Sequence, residues 1–304
     1  MKKSFLPAMA IMILFLLLTH PALSLEGARN GLLLWYQTVL PTLLPFMICS
    51  NVIVSLDGIR LMTAPVRPVL RKCFYLSENG SYVFLSGLLC GYPMGAKTCS
   101  EFVSQEKLSP REGQYLLSIC NHPSPMFLLG YAAALMDPSI PASLLMLAVY
   151  LPVIPLAFLA RSLYRIQASS RFRVQKTQPC HNFDDSMMKS FEVMIKIGGY
   201  LMLFSILARF IGQLSFLPSK TQAMLLGAVE ITTGIQAVTH TFTGPIQGML
   251  VCVTAVFGGI CGLFQTKSMV TDHRLSLAHY ILWKLLHGLL SAAAFLALTP
   301  YFMP

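Results

Sequence analysis

Of the 304 residues, 55% are hydrophobic and only 11% are charged, and the mean hydropathy is +0.65. Soluble domains carry about 25% charged residues, so a soluble globular fold is excluded and a polytopic membrane protein is expected. The net charge of +10 would suggest nucleic acid in a soluble chain; here it reads as basic cytoplasmic loops, and no nucleic-acid partner is expected.

Residues 1–27 place Lys2 and Lys3 before the apolar run Phe5 to Leu18, with Ala22-Leu23-Ser24 after it. This is either a signal-like segment or a retained first membrane helix, and both leave the lysines inside. Further apolar segments run at about 31–55, 112–135, 140–163, 190–214, 246–266 and 275–298. Each has, or nearly has, the length to cross ~30 Å of hydrocarbon at ~1.5 Å per residue. Two more, 80–106 and 220–243, are apolar but interrupted by glycine, charge and, in the first, proline. Residues 57–74, with Arg60, Arg67, Arg71 and Lys72 among apolar residues and two prolines, read as a broken amphipathic stretch on the inner surface. Lys107 and Arg111 form a second basic stretch, and the linker 164–188 holds Arg165, Arg171, Arg173 and Lys176.

A full crossing by 80–106 would put these basic stretches on opposite sides of the bilayer. Entry and return from the cytoplasmic side keeps them together. A second hairpin, 220–243, entering from outside keeps Lys267 and Arg274 inside as well. The halves 28–163 and 189–304 then repeat one order, helix, hairpin, broken helix, helix, from opposite sides of the membrane. The expected fold is an all-α polytopic membrane protein of two inverted repeats, each with a re-entrant helical hairpin and a broken helix, the plan of many secondary transporters.

Four interruptions mark the expected site: 91-GYPMGAK-97, 121-NHPSP-125, 230-EITTG-234 and 258-GGICGLFQT-266. Gly91, Pro93 and Gly95 make a hairpin tip. Pro123 and Pro125 break one helix, and Gly258, Gly259 and Gly262 loosen its counterpart. Lys97 and Glu230 are charges at membrane depth, where each costs about 2.5–3.5 kcal/mol. They read either as polar groups at the hairpin mouths, or paired with each other, or as holders of an anionic solute (Lys97) and of a proton, cation or polar group (Glu230). Asn121, Ser124, Thr232, Thr233, Gln265 and Thr266 offer hydrogen bonds to a solute or to the broken backbone. Lys284 reads as snorkelling to the interface, and His240 as lying near the outer surface. No CxxC pair, Walker loop, HExxH or GxSxG occurs, so no enzyme activity, metal or cofactor is expected. The expected partners are a small-molecule solute and the lipid bilayer, with self-association left open.

At these residues, together with 41-PTLLPF-46, the chain resembles the nucleoside-recognition (Gate-domain) membrane proteins, and among them the YlbJ/SpoVV-type sporulation integral membrane proteins. The family motifs fall on Gly91, Tyr92, Pro93, Gly95, Ala96 and Lys97; on Asn121, Ser124 and Pro125; on Glu230, Ile231, Thr232 and Gly234; and on Gly258, Gly259 and Gln265. Cys261 and Leu263 stand where the family pattern often has serine and histidine. The resemblance implies a fold similar to concentrative nucleoside transporters. It also implies transport of dipicolinate across the outer forespore membrane of an endospore former. A nucleoside or related heterocycle, or a non-transporting sporulation scaffold, are the competing readings.

Overall fold

The computed structural model describes residues 5–56, 58–166 and 183–303. Lys2, Lys3, Asp57 and the linker residues Arg171, Arg173, Lys176, His181 and Asn182 lie outside them. Every regular element among the described residues is helical. Helix α1 (Phe5–Thr19) leads into α2 (Pro21–Leu34), which passes through a π turn at Trp35–Val39 into α3 (Leu40–Ser55). The rod Pro21–Ser55 is apolar and 35 residues long, so the helix runs straight through the boundary expected at residue 27. The polar run Ser24 to Asn30 stays helical because two glycines bring it against the long helix Phe183–Gly212. A Cβ on Gly27 would stand 2.7 Å from the Ile206 Cα, and one on Gly31 2.8 Å from the Met202 Cα. Glu26 closes the contact with an ion pair to Arg209 at 2.7 Å.

Helices α4 (Ile59–Thr63) and α5 (Arg67–Phe74) carry the basic amphipathic stretch. The first hairpin follows: α6 (Glu78–Cys90) and α7 (Met94–Ser104), with the tip at Gly91 to Pro93. Ser77 starts α6 by accepting from the Gly80 amide at 3.0 Å. The arms hold 13 and 11 residues, a rise of about 20 and 16 Å, too short to cross a ~30 Å hydrocarbon core. Helix α8 (Pro110–Ile119) begins at a Ser109 cap with Pro110 in its first turn. It stops at Cys120, and the chain resumes as α9 (Pro125–Phe127), a π turn at Leu128–Ala132 and α10 (Ala133–Leu135). Helices α11 (Ala142–Tyr150) and α12 (Val153–Leu163) end the first half.

The second half repeats the order. Helix α13 (Phe183–Gly212) precedes the hairpin of α14 (Ser219–Val229) and α15 (Ile231–Thr241). Then come α16 (Gly244–Phe257) and α17 (Gly259–Met269), interrupted at Gly258, and finally α18 (Leu277–Phe302). The rods Pro21–Ser55, Ala142–Leu163, Phe183–Gly212, Gly244–Met269 and Leu277–Phe302 are each long and apolar enough to cross a membrane.

Helix α13 measures the distance between the two hairpin mouths. At its start, Ser190 and the Ser186 carbonyl accept from Asn51, and the neighbouring Ser50 carbonyl accepts from Tyr82 in α6. At its other end, the Ile211 carbonyl accepts from Gln222 in α14 at 3.0 Å. The intervening helix is 30 residues long, about 45 Å. The hairpins therefore open toward opposite ends of the molecule.

The first mouth gathers the basic stretches. Arg67 pairs with Glu78 at 3.4 Å, Asn79 donates to the Lys107 carbonyl, and Arg161 donates to the Cys73 carbonyl while lying 4.2 Å from the centre of the Tyr75 ring. Arg274 donates to the Val103 carbonyl at 2.8 Å and grips Asp272, holding that carboxyl below the usual carboxylate range. The second mouth is built from Gln247, which donates to the Thr239 and Phe242 carbonyls and accepts from the Asp137 amide. Exposed His240 lies beside it.

Candidate functional site

Each hairpin tip rests on the break that follows it in the chain. In the first half, the Tyr92 amide donates to the His122 carbonyl at 2.8 Å. A Cβ on Gly91 would stand 2.7 Å from the Ser124 nitrogen. Gly91 has φ +75°, open to glycine and rare for other residues. In the second half, a Cβ on Gly259 would stand 2.8 Å from the Val229 carbonyl oxygen and 3.0 Å from the Glu230 nitrogen.

The halves are then stitched across the breaks. Tyr92 lays its ring against Gly258 and Gly262 and donates its hydroxyl to the Ala255 carbonyl at 3.2 Å. Asn121, 2% exposed, accepts from the Ala96 amide and donates to Thr266 at 3.1 Å and to the Tyr280 hydroxyl at 2.7 Å. Tyr131 donates to the Thr232 carbonyl at 3.1 Å.

Between these parts lies a cleft holding about 600 Å³ of empty space, its open mouth included. Its floor is Gly91, Tyr92, Pro123 and Ser124 from the first half, with Thr232, Gly258, Cys261, Gly262 and Gln265 from the second. The middle of α13 (Ile197, Leu201) and the π turn with its sequel (Thr38, Val39, Thr42, Leu43) form the opposite wall. Thr42 donates to the Thr38 carbonyl at 2.6 Å, satisfying backbone that the π turn would otherwise leave open.

Six of the fourteen residues singled out from sequence line this cleft: Gly91, Tyr92, Ser124, Thr232, Gly258 and Gln265. The other eight, Pro93, Gly95, Lys97, Asn121, Pro125, Glu230, Thr233 and Gly259, are held outside its lining by internal work. Gly95 faces Gly87 across the hairpin, where a Cβ on either would stand 3.1 Å from the other's Cα. Lys97 is bonded to Glu101 one turn further along α7, at 2.5 Å, so its charge is balanced within its own helix. It does not pair with Glu230. Glu230 is fully buried and caps α15: its carboxylate accepts from the Thr232 amide at 3.1 Å, the Thr233 amide at 2.8 Å and the Thr232 hydroxyl at 2.5 Å. A carboxylate at a helix N-terminus meets free N–H groups and the positive end of the dipole, which explains an acid at this depth.

The breaks are satisfied in the same way. His122 bonds the Ile119 carbonyl, Tyr150 donates to the Pro123 carbonyl at 2.8 Å, and Ser124 accepts from the Phe127 amide at 3.2 Å. At the second break the last carbonyls of α16 take Tyr92 and Lys284, the latter at 2.8 Å on Val256. Lys284 therefore does not snorkel outward as read from the sequence. It is 4% exposed and points inward, with its ammonium 5.0 Å from the centre of the Tyr92 ring. His287, one turn on, bonds the Val149 carbonyl at 2.9 Å and stands edge-on to His122.

Sequence reasoning also passed over Thr38, and noted Thr42 only as part of 41-PTLLPF-46. Their signal was present in 38-TVLPTLLPF-46, where two threonines sit beside a proline inside an apolar run. For Lys284 the signal was weaker. A lysine three residues before a histidine looks the same whether the helix face is lipid-facing or buried.

The chain is 25% identical over 316 aligned residues to Sporulation integral membrane protein YlbJ of Bacillus subtilis (strain 168), covering 90% of this chain and 77% of that protein. No family model and no solved structure matches the chain. With a relative so named and five rods of spanning length and composition, the chain is a multi-pass integral membrane protein.

Proposed function

We propose that this chain, similar to the YlbJ sporulation integral membrane protein at 25% identity, is a secondary transporter of a small anionic solute, dipicolinate, at the outer forespore membrane during endospore formation. One observation carries this reading: two short hairpins opening toward opposite ends bring their tips, and the breaks they rest on, to a single cleft. An inverted repeat would produce such an arrangement, and discontinuous helices around a mid-membrane cleft are how many transporters bind solute.

The cleft suits a flat heteroaromatic ring. Tyr92 offers an aromatic face, and Thr38, Thr42, Ser124, Thr232 and Gln265 place hydroxyl and amide groups along the walls. Glu230, whose charge would repel a dianion, is turned away from the cleft into the N-terminus of α15. The relative's name brings sporulation to the proposal. The test is uptake of labelled dipicolinate into vesicles carrying the purified full chain, with nucleosides as competitors. Saturable uptake that excess nucleoside leaves unchanged is expected. Uptake of nucleoside instead moves the solute to that class, and uptake of neither supports a scaffold.

A further inference from the structure

Three groups near the breaks carry or accept positive charge: Lys284, His287 and His122, each at most 4% exposed. Among the described residues no carboxylate lies within salt-bridge distance of Lys284; its bond is to the Val256 carbonyl. An ammonium can donate three hydrogen bonds, so one carbonyl leaves capacity over. Its neighbours include the rings of Tyr92 at 5.0 Å and Tyr280 at 6.0 Å and the buried thiol of Cys120. His122, with Nδ1 buried and unpartnered, adds no negative group beside it. Glu230, the buried acid at the second hairpin tip, is taken up by the amides of α15.

The placement of Tyr92 turns this into a statement about the cleft. Its ring is a cleft wall, and the ammonium of Lys284 lies against the same ring. Lys284 itself is not in the lining. A cation against an aromatic ring draws on the ring's negative quadrupole. It makes the tyrosine a better platform for an electron-poor, negatively charged ring, and its own field reaches into a cleft lined mostly by apolar surface, where it is screened less than in bulk water.

We propose that Lys284, in its ammonium form, supplies positive charge to the cleft, acting through the Tyr92 ring as a positioning residue that selects aromatic carboxylates over neutral analogues of the same shape. Lys97, bound to Glu101, does not supply that charge. The proposal rests on the transporter reading for its solute class but not for its test.

The test measures affinities of the purified full chain in lipid nanodiscs. The panel is pyridine-2,6-dicarboxylate, picolinate and benzoate, each with its neutral amide. Wild type is expected to prefer the carboxylates. At ~8 Å through a partly shielded medium one charge is worth about tenfold or somewhat more in affinity. Lys284→Gln should lose about that factor on the carboxylates and leave the amides unchanged, and Lys284→Arg should keep the preference. A Lys284 that merely caps α16 would, when replaced, weaken both members of each pair alike, and that result overturns the proposal. So does a wild type without preference for the carboxylates, or one that binds none of the panel. A wild type that prefers picolinate or benzoate and ignores the dicarboxylate keeps the role of Lys284 and removes dipicolinate as the solute. If Lys284→Gln does not fold, Tyr92→Leu decides instead: it leaves the lysine in place, removes the ring, and should abolish the preference.

Discussion

Gly87→Ala is expected to abolish folding of the first half, with no monodisperse protein recovered after extraction. A methyl group at this position would overlap the Cys120 carbonyl oxygen, and it would also stand 3.1 Å from the Gly95 Cα. Both neighbours are backbone, so neither can rotate away. Overpacking typically costs about 1–3 kcal/mol when side chains can yield; here a hairpin arm must separate from its partner, and the cost lies beyond that range. Against a total stability of about 5–15 kcal/mol, the tip of α6 and α7 would not seat on the first break. The control is Gly199→Ala, on α13, where a Cβ meets nothing within 4 Å; it should be neutral or stabilising by up to ~1 kcal/mol. The check is size-exclusion and thermal melting of both variants in one detergent. A well-folded Gly87→Ala protein would show that the hairpin arms do not pack as described.

Glu230→Ala should have the second largest effect. It removes one acceptor group from three donors at once, the Thr232 amide, the Thr233 amide and the Thr232 hydroxyl. Loss of an N-cap costs about 0.5–2 kcal/mol, and each buried donor left without a partner adds about 1–3 kcal/mol. The low ends of these ranges together give about 3.5 kcal/mol, so a loss of at least that size is expected, with Glu230→Gln losing less because its amide oxygen still accepts. Uptake should fall too, since Thr232 lines the cleft. Hydrogen exchange separates this from a purely local charge effect: the first turn of α15 should exchange faster in Glu230→Ala, while α18 is unchanged. Unaltered protection at Thr232 and Thr233 would count against the capping role.

Much of the architecture was legible in the residues. The hairpins show as short apolar segments holding glycine and charge, because a turn at membrane depth needs residues that tolerate unusual backbone. The breaks show as Pro123, Pro125 and Gly258. Ser77 and Ser109 mark helix starts by the same side-chain logic that works in water. What could not be read was the destination of each polar group. Glu230 and Asn121 have the chemistry of solute ligands, but Glu230 is taken up by the free amides and the Thr232 hydroxyl at the start of α15, and Asn121 by the Ala96 amide and the Thr266 and Tyr280 hydroxyls. Lys97 paired locally, four residues away, and that partner was visible as Glu101. The inward turn of Lys284 depends on which face of α18 meets α16, and a uniformly apolar helix carries no periodic signal for that. The polar run Ser24 to Asn30 looked like an end; Gly27 and Gly31 made it a packing surface.

The most direct measurement is side-specific cysteine labelling on a cysteine-free background, with single cysteines at Ser104 and Thr241. These residues lie at the ends of α7 and α15, the two hairpin mouths. An impermeant reagent applied to intact cells should label Thr241→Cys and not Ser104→Cys, and inverted vesicles should reverse the result. Labelling of both from one side would mean that the hairpins share an entrance, and their opening toward opposite ends would be disproved.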